Sequence, residues 1–423
     1  MSSLHRRRFL ATGSAAALFG PSLLLRAQDS SPNDRIAVGV IGCGGQGIGN
    51  MGGFLNERDV QVVAVADVDQ GARDRAKARV DEKYGNQDCK AFADYRKLLE
   101  HPGLDVVSTA TPDHWHARIA GDAATAGMDI YGEKPFTWGN KEGRAVINAL
   151  TKHKRVWQTG SWQRSNNEFR RFRALIRNGV LGKVQRVECG TPSGMSLQQH
   201  VPEDKVAGLM GKPPAGLDWK MWCGPAGQVE FHPLLHPWNW RWHTRFGGGQ
   251  LHDWVGHHVD IALWTLGLEE TGPVKVEGSG EKVRHDFFNT LASYQYQATF
   301  ADGTLIEVSS DFGGTKSTGE RGWIHVDRGR LEASDPELLR KENLPADYNP
   351  RPPGHCRNFL DCVRSRELTV APAEPAHRAS SIGQLALVAI DTRRPLKWDH
   401  KAEQVVGDEE QAKHPRLGAR LTV

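Results

Sequence analysis

A chain of 423 residues exceeds one typical domain, so two are expected. The formal charge of +4 resides in residues 1–27, which hold four Arg and no acid, leaving 50 basic against 50 acidic residues. That balance excludes a general electrostatic attraction to nucleic acid or to an anionic membrane surface.

The chain opens with Arg6-Arg7-Arg8-Phe9-Leu10, a modestly apolar run from Ala11 to Leu25, and Arg26-Ala27. This reads as a twin-arginine signal peptide over 1–27. The run is too short, and too broken by Gly13, Gly20 and Pro21, to span a bilayer as a stable helix, and no later run of 18 apolar residues exists. A periplasmic or otherwise exported protein is expected, with the twin-arginine export machinery as a partner and no membrane insertion. Six cysteines (Cys43, Cys89, Cys189, Cys223, Cys356, Cys362) show neither C-x-x-C nor zinc spacing, so mostly buried free thiols are expected.

Ile36–Ile41 is an apolar run, followed by Gly42-Cys43-Gly44-Gly45-Gln46-Gly47, a helical segment to about Arg58, and a second apolar run, Val60–Ala66, stopped by Asp67. Gly42, Gly44 and Gly47 match G-x-G-x-x-G in its strand–turn–helix setting. There the turn is tight, the backbone approaches a pyrophosphate, and the helix packs close to the strand. Free N–H groups at the helix start, with Gly45 and Gln46 in its first turn, suit the phosphates. Asp67, 20 residues past Gly47, can accept from both adenosine ribose hydroxyls. Val68 stands where an NADP enzyme often carries Arg, favouring NAD. Arg73 and Arg75 nearby keep NADP as the lesser alternative.

Helices are expected over Gln70–Tyr84 and Asp94–Glu100, then a strand over Leu104–Ala110 ending in Thr111-Pro112-Asp113-His114-Trp115-His116. A helix to Ala126 leads to a strand at Met128–Tyr131 ending in Gly132-Glu133-Lys134-Pro135. Helix Lys141–His153 and strand Val156–Gly160 complete the alternation. Such alternation means a parallel sheet with ligands at its carboxyl edge, over residues 34–160. Beyond it come helix Phe169–Asn178 and strand Lys183–Thr191. Hairpins are expected at Asp302-Gly303 and Asp327–Gly329, helices over Phe359–Arg364 and Ser380–Thr392, and a strand at Pro395–Trp398. This second domain, 161–400, is largely antiparallel, and a polar tail, 401–423, is expected on the surface.

Between those strands lies Gly247–Asp260. If it is helical from Leu251, Asp253, His257 and Asp260 share one face, while Val255, Val259, Ala262 and Leu266 face the core. A carboxylate beside an imidazole fixes its tautomer and raises its pKa, which suits a general base; a solvated ion-pair stripe is the plainer reading. His252 points coreward, and His258 could go either way. No spacing supports a metal among His232, His236 and His243, so no metal is expected. Seven of thirteen Trp fall between Trp219 and Trp264, either stacking on sugar rings or forming a buried cluster.

Taken together, the glycine turn, Thr111-Pro112 with His116, Glu133-Lys134-Pro135, Gly247–Asp260, His377-Arg378 and Leu396-Lys397-Trp398-Asp399 carry a resemblance. From Arg35 to Trp398 the chain resembles the glucose–fructose oxidoreductase / inositol dehydrogenase / MocA (Gfo/Idh/MocA) family, most of all its exported members. The resemblance implies a Rossmann dinucleotide-binding domain and an α+β domain with a large, mostly antiparallel open sheet. It implies NAD(P)-dependent oxidation of a sugar or polyol hydroxyl, with Lys134 beside the nicotinamide and Asp253 and His257 completing the catalytic set. Thr111, Pro112, His116 and Glu133 would join the glycine turn in holding the cofactor, with Pro135 cis. Trp162, Arg164, Trp240 and Asp260 are assigned to the substrate. One departure is Val255 where relatives often have Gly, with Gly256 next. A redox-neutral glycosidase or lyase recycling its NAD and a non-catalytic sensor are the alternatives. A homo-oligomer is expected.

Overall fold

The computed structural model describes residues 34–194, 210–285 and 287–420; the twin-arginine segment lies outside them. The first domain alternates β1 (Ile36–Ile41), α1 (Gly45–Leu55), β2 (Val60–Ala66), α2 (Gln70–Tyr84), β3 (Lys90–Phe92), α3 (Tyr95–Leu99), β4 (Val106–Thr109), α4 (Asp113–Thr125), β5 (Asp129–Gly132), α5 (Asn140–His153) and β6 (Trp157–Thr159). Its six strands pair in parallel in the order β3-β2-β1-β4-β5-β6. The near-continuous apolar runs of β1, β2 and β4 follow from burial on both faces, since helices cover each side. The order reverses beside β1, so the loops after β1 and β4 open a crevice at the carboxyl edge.

The second domain follows with α6 (Asn167–Arg177), β7 (Val184–Gly190), α7 (Trp219–Cys223), α8 (Gly249–Trp254), α9 (Asp260–Leu266), β8 (Lys275–Lys282), β9 (Leu291–Thr299), β10 (Leu305–Ser309), β11 (Gly314–Gly319), β12 (Gly322–Asp327) and β13 (Arg330–Ala333). It closes with α10 (His355–Ser365), α11 (Ala373–Thr392), β14 (Leu396–Asp399) and β15 (Gln404–Val405). The nine strands form one sheet, β13-β12-β11-β7-β10-β9-β8-β14-β15, antiparallel except at β7–β10. On β9, Ala292, Tyr294, Tyr296 and Ala298 alternate inward, the last three meeting Val255, Val259 and Ala262 and Ile382, Leu385 and Ala386 of α11. Ser293, Gln295 and Gln297 point to the other, polar face.

Two details differ from expectation. Between α8 and α9 the helix widens into a π turn, Val255–Val259. The last described residues are no loose tail: Arg416 and Leu417 are buried, and Arg416 donates to Trp138 O at 3.1 Å. The tryptophan-rich stretch 210–246 forms its own core of Trp219, Trp222, Phe231, Trp242 and Phe246, into which Val68 of the first domain packs. Among the described residues all six cysteines are free, five of them buried, and no helix is long and apolar enough to cross a membrane.

Candidate active site

Side-chain absence shapes the glycine turn. Gly42 has φ +85°, and a Cβ on Gly47 would lie 1.8 Å from Gly42 O, so both positions require glycine for the chain's own packing. Gly44 and Gly45 instead border open space: a Cβ there would meet nothing within 4 Å. No side chain caps α1 and no acid occupies its first turn, which leaves its N–H groups to a phosphate. Asp67 accepts from Cys43 N at 2.6 Å and Asp69 N at 2.9 Å, and burial pushes its carboxyl up. An open glycine cradle, an uncapped helix start and a buried acid at the end of β2 fit a dinucleotide.

A cleft of about 1050 Å³ runs from Asp67 past Gly44, Gly45 and Gln46, between Thr111 and Pro112, to Lys134 and Asp253. Its far wall comes from the second domain. Gln70 N donates to Gly216 O at 2.9 Å and Asp218 N to Val68 O at 3.1 Å, fastening 210–246 directly over the end of β2. His236 Nε2 lies 3.5 Å from Asp69, and Trp238 and Trp240 line the same cleft. This strap encloses the Asp67 end, where the adenosine half of a dinucleotide belongs.

At the other end Lys134 Nζ donates to Asp253 Oδ1 at 3.0 Å, joining the two domains across the cleft. Several contacts aim the lysine. Glu133 Oε1 accepts from Gln46 Nε2 (3.1 Å) and Asn50 Nδ2 (3.0 Å) of α1, tying Glu133 to the glycine helix. The Lys134-Pro135 bond is cis, and Phe136 N donates to Ser380 Oγ of α11 at 2.9 Å. Gly256 leaves room beside Lys134, whose Cβ would lie 2.8 Å from a side chain there. His116 stands behind the cleft wall, its ring nitrogens 2.7 Å from Pro135 O and 2.8 Å from Thr111 O, so it braces two cleft loops.

His257 lies beside this pair, its ring 5.0 Å from Trp254 and 6.4 Å from Trp162. The expected carboxylate partner is absent: Asp253 is turned to Lys134, and His257 Nδ1 is buried without a hydrogen bond. The expected upward shift is therefore corrected. Burial first, then the Lys134 and Arg328 cations, hold the imidazole well below the usual histidine range.

Arg164 and Asp260 are corrected as well. Arg164 donates to both oxygens of Asp260 at 2.7 Å each and to Glu269 at 2.7 Å, with Arg164 and Asp260 sealed from solvent. Burial opposes both charges and pushes the Asp260 carboxyl up, while Asp260 and Glu269 keep the guanidinium charged. The π turn is the cause: one added residue rotates Asp260 by about 100° off the stripe of Asp253 and His257. His252 is buried 3.8 Å from Asp113, as a coreward residue should be, and His258 is buried too. Among the described residues no cluster of His, Cys, Asp or Glu could hold a metal.

A parallel-sheet domain with an open glycine cradle, facing an open-sheet domain that brings a carboxylate into the cleft with a buried imidazole beside it, defines a two-domain nucleotide-dependent oxidoreductase. The chain belongs to the Gfo/Idh/MocA oxidoreductase family: residues 36–161 match its NAD-binding Rossmann fold and 165–417 its C-terminal alpha/beta domain. It is 22% identical over 317 residues to the uncharacterized oxidoreductase YrbE of Bacillus subtilis, covering 74% of this chain and 78% of that protein. It is 30% identical over 173 residues to inositol 2-dehydrogenase 1 of Saccharopolyspora erythraea, covering 40% of this chain and 49% of that one. Scyllo-inositol dehydrogenase from Lactobacillus casei, solved with NAD(H) and scyllo-inositol, shares the fold at TM-score 0.59 and 13% identity, over 86% of this chain and 99% of that one. The chain is thus an NAD-binding member of an oxidoreductase family.

Proposed function

We propose that this protein oxidises a secondary hydroxyl of a sugar or polyol, or reduces the matching ketone, outside the cytoplasm and with NAD held through each cycle. The Lys134–Asp253 pair standing in the cleft that begins at the glycine turn carries this reading. When bound, NAD supplies the hydride acceptor. Gly44, Gly45 and Gln46 would hold its pyrophosphate and Asp67 its adenosine ribose.

His257, neutral because it is buried beside two cations, accepts the hydroxyl proton at Nε2; its Nδ1 is sealed. Lys134 Nζ has donors left after Asp253 and steadies negative charge on the substrate oxygen as that proton leaves. Asp253 orients Lys134 and can accept from a neighbouring hydroxyl. The inositol dehydrogenases among its relatives favour a polyol ring as the substrate class.

The strap over the Asp67 end supports tight retention, and Arg6-Arg7-Arg8 supports export, where free NAD is not expected to be supplied. The uncovered polar face of the nine-stranded sheet supports a homo-oligomer. Denaturing the purified mature protein and identifying the released nucleotide tests retention; a sugar and keto-sugar screen then tests the reaction. A lasting reduced-nicotinamide absorbance with a keto product is expected. Aglycone release with solvent deuterium uptake and no lasting absorbance would instead make it a cofactor-recycling glycosidase. Binding without either would make it a sensor.

A further inference from the structure

Arg328 lies in the turn between β12 and β13, and its guanidinium rests over two indoles, 4.7 Å from the Trp162 ring centre and 4.8 Å from that of Trp254. Those are the rings that flank His257. Two aromatic planes thus fix where this cation stands, beside the imidazole assigned to proton transfer.

The Arg328 side chain is exposed. Among the described residues no carboxylate lies within ion-pair distance of the guanidinium and no acceptor bonds it. Asp327, next in sequence, accepts the Arg328 backbone N–H at 2.7 Å and faces His258 Nε2 at 3.8 Å. Asp253 is taken by Lys134. The other titratable neighbours are His257, His258 and His325, and burial holds His258 down to about 4, so it is neutral near pH 7. Arg164 differs, being filled by Asp260, Glu269 and Val370 O. Arg241 differs too: it stacks on Trp238 and Trp240 and donates to Trp238 O.

A guanidinium seated on two indoles, exposed and without an ion-pair partner among the described residues, can offer its fork to a carboxylate, which takes two parallel N–H bonds. We propose that Arg328 reads a carboxylate on the substrate, so that the preferred substrate is a sugar acid rather than a neutral sugar. This rests on the oxidation proposed above and narrows it.

The test uses the NAD-loaded protein and matched sets: glucose, glucuronate, gluconate and glucose 6-phosphate, with the galactose counterparts and inositol as a neutral ring polyol. Keto product and ligand-induced thermal shift are both read. An acid should exceed its parent sugar in kcat/KM by at least about tenfold, as a charge-assisted bidentate contact implies. Arg328→Gln should lower that acid-to-parent ratio by about 10- to 100-fold, mainly through KM, with nucleotide content retained as the folding control. Arg328→Lys should restore little of it, lacking the planar fork. Parent sugars used as well as their acids, a preference for the phosphates, or an unchanged ratio in Arg328→Gln overturns the carboxylate assignment and leaves oxidation standing. No product and no shift with any member overturns both.

Discussion

At one end of the segment Gly249–Leu266, Asp253 meets Lys134 at 3.0 Å with side chains 15% and 18% exposed. At the other end, Asp260 meets Arg164 at 2.7 Å with side chains 3% and 1% exposed. Both are acid–base pairs between this helical segment and the chain around Glu133–Ser165, yet only the first borders the cleft. In the sealed pair every carboxylate oxygen and most guanidinium donors are matched, so nothing is left for a ligand. In the open pair Nζ donates to Asp253 and, as an ammonium with three donors, can serve another acceptor. Charge pattern does not separate a working pair from a holding pair; access and unfilled hydrogen-bond capacity do.

That contrast breaks most visibly at Lys134. Lys134→Ala should lower kcat by about 10³-fold, in the range for losing a positioned acid–base or electrostatic group, while released nucleotide stays at wild-type amounts. Turnover within tenfold of wild type would remove Lys134 from the chemistry. Arg164→Met should show the converse. Leaving Asp260 buried and unpaired costs about 3–5 kcal/mol, a Tm drop of roughly 6–20 °C, with KM at 25 °C unchanged in the folded protein. A selective rise in KM without loss of Tm would return Arg164 to the substrate.

Titration sharpens the comparison further. Because His257 sits well below the ordinary histidine range, its neutral form persists as pH falls through 6.5. The acid limb of kcat/KM should therefore lie below pH 6.5, and a limb centred above that value would contradict the assignment. Stability follows the same sign. His355 and His243 are held down to about 4 and His114 to about 3 by burial, so the unfolded chain takes up protons that the folded one refuses. Tm should hold above pH 6.5 and fall as pH drops towards 4. The smallest expected effect is at the strap: Trp238→Ala, at an exposed ring on the cleft rim, should speed nucleotide release by about two- to tenfold, in line with losing one aromatic contact. Release rates equal to wild type would leave retention to the glycine turn.

Legibility in the sequence tracked locality. Gly42, Gly47 and Asp67 could be read because strand, turn, helix and acid are contiguous and each is required by backbone geometry. Lys134 and Asp253 came through family resemblance, since 119 residues separate them and no periodicity links them. The π turn was not legible: Gly256 stood out only as a shifted glycine, and its role depends on Lys134 packing against it. Asp260 drops out of the site because a helical wheel assumes regular turns, and Arg164 goes with it as its buried partner. The tryptophan cluster left sugar stacking and burial open; Trp219 and Trp222 are buried and stacked on each other at 4.4 Å, while Trp238 and Trp240 stand in the cleft wall. Arg328 carried no signal, since its placement arises from a hairpin meeting two distant indoles.

The late residues that brace the first domain also set an order of events during synthesis. Phe136 N is anchored by Ser380, Thr159 N by Ala371 O, and the Trp138 carbonyl by Arg416. The nucleotide half leaves the ribosome long before these partners exist. Its lysine loop thus lacks its supports until almost the whole polypeptide has been made, and a fragment ending near residue 161 would expose that unfinished wall. The cleft wall around Lys134 is in this way completed only by residues made at the end of synthesis.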